Sequence, residues 1–285
     1  STRVRSSAAS DVYKRQEVGL TEAREIDPEC EIGEDVTKQI FFEKFGRRAI
    51  LNLRQTLQSK ILDLQKDAIF SKFKELEGEI ITGEVHQIWK REMLLLDEEQ
   101  NELIMPKEEQ IPGDFFHKGD MVRAIVKRVD NPNNNPKVIV SRTDPRFLRR
   151  LFEQEVPEIY DGVVEIKSIS REAGSRTKMA VYSSNPDVDA IGSCIGNKGS
   201  RVNKIVEELG GEKIDIVLYS EDPEKYISAA LSPASVCKVE ITDEETKSCR
   251  VTVPDGQLSL AIGNKGQNAR LAAKLTGYKI DIKCE

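Results

Sequence analysis

A five-residue segment, Ile-Gly-Asn-Lys-Gly, occurs twice in this chain, at residues 195–199 and again at 262–266. A single Gly-x-x-Gly spacing would carry little information, because a chain with 18 glycines in 285 residues contains roughly one by chance. Here the similarity continues downstream, where Lys-Ile-Asp-Ile at 213–216 returns at 279–282. Self-similarity at a fixed period indicates a duplicated structural unit. The sequence therefore predicts two copies of one module, each with its own glycine loop.

Both copies have the same predicted order of elements: helix, strand, strand, helix, glycine loop, helix, strand. In the first copy, the helix after the loop has apolar residues spaced i, i+3, i+4 and i+7, namely Val202, Ile205, Val206 and Leu209. Runs rich in branched and aromatic residues predict the strands. The first copy has predicted helices at 147–155, 188–195 and 200–209 and strands at 163–169, 177–182 and 214–218. The second has helices at 224–231, 255–262 and 267–275 and strands at 235–241, 248–253 and 278–283.

This order, with Gly-x-x-Gly between two helices, resembles the prokaryotic (type II) KH domain. Glycines allow the backbone to pass close to a nucleic-acid phosphate, and the next helix N-terminus directs N–H groups and a positive dipole toward it. The lysine inside each loop adds a mobile positive charge. The resemblance implies that each module clamps four nucleotides of single-stranded RNA. The candidate RNA-binding residues are Gly196, Asn197, Lys198, Gly199 and Arg201 in the first copy and Gly263, Asn264, Lys265, Gly266 and Arg270 in the second.

An apolar groove beside each loop is expected to hold the bases. Its candidate lining is Ile191, Ile195, Val202 and Ile214 in the first copy and Leu258, Ile262, Ala269 and Ile280 in the second. Two simpler interpretations stay open: the glycines could only make a tight turn between helices, and the aliphatic residues could be ordinary core. The presence of Asn-Lys between the glycines in both copies favours RNA binding over a plain turn.

Residues 79–143 form a β-rich region of a different kind, with predicted strands at 79–85, 93–96, 102–106, 122–129 and 137–141. Turn residues separate these strands, as in a small barrel. The spacing of Gly83, Val85, Gly119 and Asp120, with a closing Val-Ser, resembles the S1 motif, an OB-type RNA-binding barrel. Aromatic side chains on such a barrel can stack on bases. The candidates are Trp89, Phe115, Phe116 and His117, of which Phe116 is expected in the core.

An OB barrel followed by two KH modules resembles the NusA family of bacterial transcription factors. The similarity is carried by residues 151–159 (Leu-Phe-Glu-Gln-Glu-Val-Pro-Glu-Ile) and 211–216 (Gly-Glu-Lys-Ile-Asp-Ile). Upstream, Phe-Gly-Arg-Arg-Ala-Ile at 45–50 leads into a long polar helix, as at the end of the family's polymerase-binding N-terminal domain. The resemblance implies that residues 17–78 correspond to the second half of that domain. Residues 1–16 fit nothing in the family and are set apart from the fold.

The expected fold class is therefore α+β and multidomain: a partial helical N-terminal region, an OB-type β-barrel and two tandem type II KH domains. The predicted bounds are 1–16 for a non-native or disordered tail, 17–78 for the partial polymerase-binding region with its long helix, 79–144 for the S1-type barrel, 145–218 for the first KH domain and 219–285 for the second.

The distribution of charge suits two kinds of partner. The net charge of −6 argues against a generic basic nucleic-acid binder. Acidic residues concentrate at 21–35, which suits a protein partner, and basic residues at 250–285, which suits phosphate. An ordinary solvated acidic face explains the first segment equally well. No apolar run approaches the length of a membrane span, and no secretory signal is visible, so a cytoplasmic location without membrane contact is expected.

The residue patterns of common enzymes are missing. The five cysteines lack Cys-x-x-Cys spacing, which indicates neither a metal site nor a disulfide framework. Asp187 and Asp189 could form a metal pair, but Asn-Pro-Asp at 185–187 favours a helix N-terminal cap. No catalytic residue, metal or cofactor is therefore expected.

The sequence predicts a non-enzymatic transcription elongation factor that contacts single-stranded nascent RNA. The family resemblance implies docking on RNA polymerase, effects on pausing, termination and antitermination, and other antitermination factors as further partners. Two alternatives are an accessory RNA-binding part of an RNA-degrading enzyme and a ribosome-associated KH protein. Polynucleotide phosphorylase places one KH domain before its S1 motif, and a ribosomal KH protein is expected to be basic with one KH domain, so order and copy number disfavour both.

Overall fold

The computed structural model describes residues 46–284 continuously and, before them, the short stretches 3–6, 17–18, 21, 23–24, 28, 31 and 35–37. The chain divides into two compact units, Ser1–Gln65 and Lys66–Glu285. In the first unit, strands β1 (Arg3–Ser6), β2 (Glu17–Val18) and β3 (Asp35–Thr37) form a sheet in the order β2-β1-β3. Most of the acidic segment 21–35 lies outside the described residues. Within the part of the chain that is described, no helix combines the length and the apolar character that a membrane span requires.

The long polar helix that the sequence predicted is α1 (Arg47–Glu75). In the first unit its large apolar side chains are exposed: Ile50, Leu51, Leu53, Leu57, Ile61, Leu62 and Leu64. In the second unit its end packs on the barrel, where Phe73 is fully buried and Ile69, Phe70 and Leu76 are half-buried. The core of the barrel therefore includes a side chain that precedes its predicted start at residue 79.

The barrel closes as the alternating pattern predicts. Its strands are β4 (Ile80–Ile88), β5 (Glu92–Leu96), β6 (Glu102–Pro106), β7 (Met121–Asp130) and β8 (Lys137–Ser141), in the closed order β4-β5-β6-β8-β7. Strands β6 and β8 are parallel and the other neighbours antiparallel. This is the five-stranded arrangement of an OB-type barrel. Phe116 is half-buried against its core, as expected.

The first glycine-loop module follows the predicted order. It contains α2 (Pro145–Glu155), α3 (Pro157–Tyr160), β9 (Val164–Glu172), β10 (Arg176–Ser183), α4 (Ala190–Ile195), α5 (Ser200–Glu208) and β11 (Lys213–Leu218). Strand β10 is central, antiparallel to β9 and parallel to β11. The leading helix α2 buries four apolar side chains in the core: Phe147, Leu148, Leu151 and Phe152.

The second module repeats this topology. It contains α6 (Pro223–Ala230), β12 (Lys238–Asp243), β13 (Ser248–Val253), α7 (Leu258–Ile262), α8 (Gln267–Thr276) and β14 (Lys279–Cys284), with β13 antiparallel to β12 and parallel to β14. The fold class predicted from the sequence is therefore confirmed. Strand β12 begins three residues later than predicted, because residues 235–237 belong to the connection from α6.

The helix cap predicted in Asn-Pro-Asp at 185–187 is placed elsewhere. The side chain of Asp189 caps α4 by accepting a hydrogen bond from the Ile191 N–H. Asn185 makes a local turn instead, in which its Oδ1 accepts from the Asp187 N–H at 3.0 Å. Asp189, one of the two aspartates considered as a metal pair, is therefore a helix cap.

The two modules share part of one hydrophobic core. Ala180 and Val217 of the first module lie in the buried cluster of the second, together with Ile227, Leu231 and Val251. A fully buried lysine, Lys178, donates hydrogen bonds to Asp215 in its own module and to the Ser232 carbonyl of the next. Because buried apolar contacts and the buried hydrogen bond of Lys178 both cross the junction, the modules form one rigid pair.

Candidate nucleic-acid interface

The two glycine loops have nearly the same backbone conformation. The first glycine of each loop has φ of 73° at Gly196 and 76° at Gly263. The lysine has φ/ψ of 52°/31° at Lys198 and 51°/29° at Lys265. Identical short sequences with matching flanks thus produce the same local fold twice, each time directly before a helix.

The first glycine of each loop is required by both conformation and space. A Cβ added at Gly196 would lie 2.8 Å from Cγ of Arg201, and one at Gly263 would lie 2.8 Å from the backbone nitrogen of Asn268. Left-handed backbone is accessible to glycine without steric cost. The residue two positions after the loop therefore packs directly beneath it in both copies.

Lys198 and Lys265 adopt left-handed backbone without being glycine or asparagine. This conformation costs a non-glycine residue on the order of 1 kcal/mol. Both side chains are exposed, and in the described part of the chain neither ammonium group forms an ion pair. A strained position that keeps a free cation at a helix N-terminus suits contact with a phosphate.

Replacing each loop lysine by asparagine tests the effect of its charge without disturbing the backbone conformation of the loop. Asparagine tolerates the left-handed conformation, so Lys198→Asn/Lys265→Asn should leave the melting temperature within about 2 °C of the parent. Loss of two phosphate contacts should reduce the slope of log K against log salt for single-stranded RNA by about 1.4. Thermal unfolding and RNA titrations at four salt concentrations check both. An unchanged slope would contradict phosphate contact by these lysines.

Arg201 and Asn268 occupy matching positions, 67 residues apart, and make matching contacts. Arg201 Nη1 donates to the carbonyl of Ser193 at 2.6 Å, and Asn268 Nδ2 donates to the carbonyl of Leu260, the matching residue, at 3.3 Å. Each side chain ties the helix before the loop to the helix after it. Asn268 was not among the residues predicted from the sequence, although the repeat offset identifies it as the counterpart of Arg201.

The two arginines proposed from the sequence are both engaged in ion pairs. Arg201 also contacts the Glu158 carboxylate at 2.8 Å. Arg270 reaches across the module junction to Glu172 at 2.7 Å, which lowers the pKa of that carboxyl group. Their guanidinium groups therefore hold the protein together in this structure, and a direct role in RNA binding stays a prediction.

The apolar groove candidates are partly exposed. Ile195 and Ile262, which directly precede the two loops, are 37% and 38% exposed. Ile191, Val202 and Ile214 pack against the core of their module and are half-buried. In the second copy Leu258 and Ile280 are half-buried against the core and Ala269 is also half-buried. Both loops thus lie beside accessible aliphatic surface, which an apolar groove that holds bases requires.

The barrel candidates lie in two different loops. Trp89, 44% exposed, is in the turn between β4 and β5, a loop with which OB barrels contact oligonucleotides. His117 precedes β7, with its Nδ1 3.6 Å from the Asp120 carboxylate. Phe115 beside it is 87% exposed. Stacking of bases on each of these side chains stays a separate prediction.

A five-stranded OB-type barrel followed by two KH modules with intact glycine loops defines the tandem-KH class of nucleic-acid-binding proteins. Comparison with known families agrees: residues 142–219 match the NusA-like first KH domain, residues 223–285 the NusA-like second KH domain, and residues 3–67 the NusA N-terminal domain. The last match begins inside the stretch 1–16 that the sequence analysis set apart. The chain belongs to the NusA family of transcription termination/antitermination proteins.

The relatives cover almost all of the chain. A transcription termination/antitermination protein NusA from Halalkalibacterium halodurans is 46% identical over 99% of this chain and 73% of its own length. The protein of the same name from Bacillus subtilis is 45% identical over 99% of this chain and 76% of its own length. The one from Thermus thermophilus is 44% identical over 94% of this chain and 69% of its own length.

Proposed function

We propose that this protein is an RNA-binding transcription elongation factor that docks on RNA polymerase and holds single-stranded nascent RNA, thereby modulating pausing, termination and antitermination. The observation that carries the proposal is the pair of Gly-Asn-Lys-Gly loops, which are alike in backbone and each bear a lysine that forms no ion pair within the described part of the chain. The relatives named for transcription termination and antitermination support the cellular role.

The rigid junction between the modules supports one continuous RNA surface. The connection between β11 and α6 spans only residues 219–222, which is too short for free tumbling. The shared core around Ala180 and the buried contacts of Lys178 further fix the two loops relative to each other. Two modules that clamp four nucleotides each should therefore engage about eight nucleotides or more of a single strand.

Crosslinking in a stalled elongation complex tests the proposal. A photoreactive uridine placed at successive positions behind the RNA exit should crosslink to peptides that contain 196–199 and 263–266. A complex with its protruding RNA trimmed away serves as the control. Absence of crosslinks to both peptides, with the protein bound to the complex, would overturn nascent-RNA contact. Incubation of the protein with RNA and phosphate separates this function from RNA degradation, because only the latter shortens the RNA.

Polymerase docking and RNA holding should be separable in this chain. A fragment of residues 66–285 keeps Phe73 in the barrel core, so it is a better choice than a fragment starting at residue 79. It lacks the exposed apolar side chains of α1 between Ile50 and Leu64. We expect this fragment to bind RNA within about twofold of the full chain, with the same salt slope. It should lose at least about tenfold in affinity for polymerase that carries no transcript.

Pull-down and titration against transcript-free polymerase measure the loss of polymerase affinity. The matched variant is the full chain with the triple substitution Leu57→Ala/Ile61→Ala/Leu64→Ala. These three positions are exposed, so their replacement should leave stability nearly unchanged. Full polymerase affinity in the fragment would place the docking surface in the barrel or the KH modules instead.

A further inference from the structure

A cleft lies at the junction of the two KH modules, directly beside the second glycine loop. Ser175, Arg176 and Lys213 of the first module form one wall, and Gly263, Asn264 and Gln267 of the second form the other. Its volume of about 340 Å³ is at the lower end of the range that small-ligand sites occupy, about 300–1,000 Å³. The cleft exists only because the two modules are packed together.

The charge of this cleft favours an anionic ligand. Its lining contains two cations, Arg176 and Lys213, and no carboxylate, in a chain whose net charge is −6. Arg176 is paired with Asp215 at 2.7 Å. Lys213 is exposed, and among the described residues no carboxylate pairs with its ammonium group. Lys213 therefore resembles the loop lysines: a cation that the fold leaves free.

The cleft and the apolar groove lie on two sides of the same loop. The groove candidates on α7 are Leu258 and Ile262, whereas the cleft is lined by Ser259 and Leu260, which lie on another face of that helix. A strand that crosses the loop from the groove can therefore continue into the cleft. Asn268 also lines the cleft, is 2% exposed, and has an Oδ1 without a hydrogen-bond partner in the described part of the chain.

The first module also holds the second loop in place. Gln267, the first residue of α8, donates from Nε2 to Glu172 at 2.8 Å and to the Ser175 hydroxyl at 2.7 Å. Arg270, one turn later, pairs with the same glutamate. These contacts fasten the start of α8 to the turn between β9 and β10. The cleft is thus preformed, and its two walls cannot separate without breaking an ion pair.

We propose that this cleft is a nucleotide site shared by the two KH modules, in which Lys213 of the first module binds a phosphate of the RNA strand lying on the second loop. The site deepens the proposed function and rests on it, because it requires single-stranded RNA at that loop. It assigns an RNA contact to the first module outside its own glycine loop. Asn264, exposed in the opposite wall, lies beside the adjoining ribose and base.

Lys213→Gln tests the site against a matched variant, Lys279→Gln. Lys279 begins β14 as Lys213 begins β11, and it is also exposed but is not among the residues that line the cleft. In titrations of the full chain with a fluorescent 12-nucleotide single strand, Lys213→Gln should lower the salt slope by about 0.7 and the affinity roughly fourfold at 0.15 M salt. Lys279→Gln should change the affinity by less than twofold. Equal effects of the two variants would overturn the assignment.

Combination with loop variants locates the contact. With the second loop disabled by Asn264→Asp/Lys265→Asp, the strand no longer reaches the cleft, so Lys213→Gln should have less than a twofold further effect. With the first loop disabled by Asn197→Asp/Lys198→Asp, the fourfold effect should remain. The reverse pattern would place Lys213 in the first site instead. If the parent protein did not bind the strand, the proposed function would be contradicted. If the parent bound normally and Lys213→Gln left the affinity unchanged, only the shared site would be contradicted.

Discussion

A single strand long enough to reach both glycine loops should bind about a hundredfold more weakly when Asn264 and Lys265 are both replaced by aspartate. A strand of four nucleotides should lose only about twofold. On the proposed continuous surface two linked sites hold the long strand, and linkage raises affinity by about 10²–10⁴ over one site alone. The short strand occupies either site, so removal of one loop leaves the other available.

Fluorescence anisotropy with labelled strands of 4 and 12 nucleotides measures both effects. Aspartate tolerates the left-handed backbone at position 265, so the variant should remain folded. Asn197→Asp/Lys198→Asp is the matched variant in the first loop and should show the same dependence on length. Equal losses of affinity for the two strand lengths would contradict the continuous surface, because they would show that the modules bind independently.

The largest loss of stability is expected from Glu212→Gln. The Glu212 carboxylate is fully buried and accepts hydrogen bonds from Nε and Nη2 of Arg171, the Gly174 N–H and the Thr177 hydroxyl. An amide offers one acceptor oxygen and directs N–H groups at the remaining donors. Arg171 would be left as a buried cation without its counter-charge. Removal of one partner from a buried ion pair costs about 3–5 kcal/mol.

Thermal unfolding of the full chain should show this loss as a decrease of about 10 °C or more in the transition that includes the first KH module. Lys225→Gln is the control, because its pair with Asp222 is exposed to solvent and should contribute little to stability. Arg171 also donates to the Arg142 carbonyl, so the barrel should loosen from the KH module in the same transition. A melting temperature equal to that of the control would contradict the importance of the buried pair.

The elements that the sequence predicted correctly are those with a local cause. The i, i+3, i+4 spacing from Val202 to Leu209 predicted α5 because one face of a helix must be apolar to pack, and Ile205 and Leu209 are buried. Alternating polar and apolar residues predicted the barrel strands, because successive side chains of a strand point to opposite faces and one face must be apolar to pack. The glycine loops were predicted correctly because the conformation of the repeated pentapeptide depends on its own residues, above all on its glycines. The helix cap was misplaced by two residues, since any Asn or Asp near a helix start can form the capping turn.

The sequence by itself determined that this chain contains one barrel and two copies of a glycine-loop module, and which residues form the loops. It could not show that Phe73 completes the barrel core, that Arg201 and Arg270 are held by glutamates, or that Lys213 faces the second loop. Those facts depend on pairs of residues far apart in the chain, which come together only when whole modules pack. Local patterns constrain one element at a time, whereas the position of a side chain at a junction is fixed by the apolar contacts of both modules together.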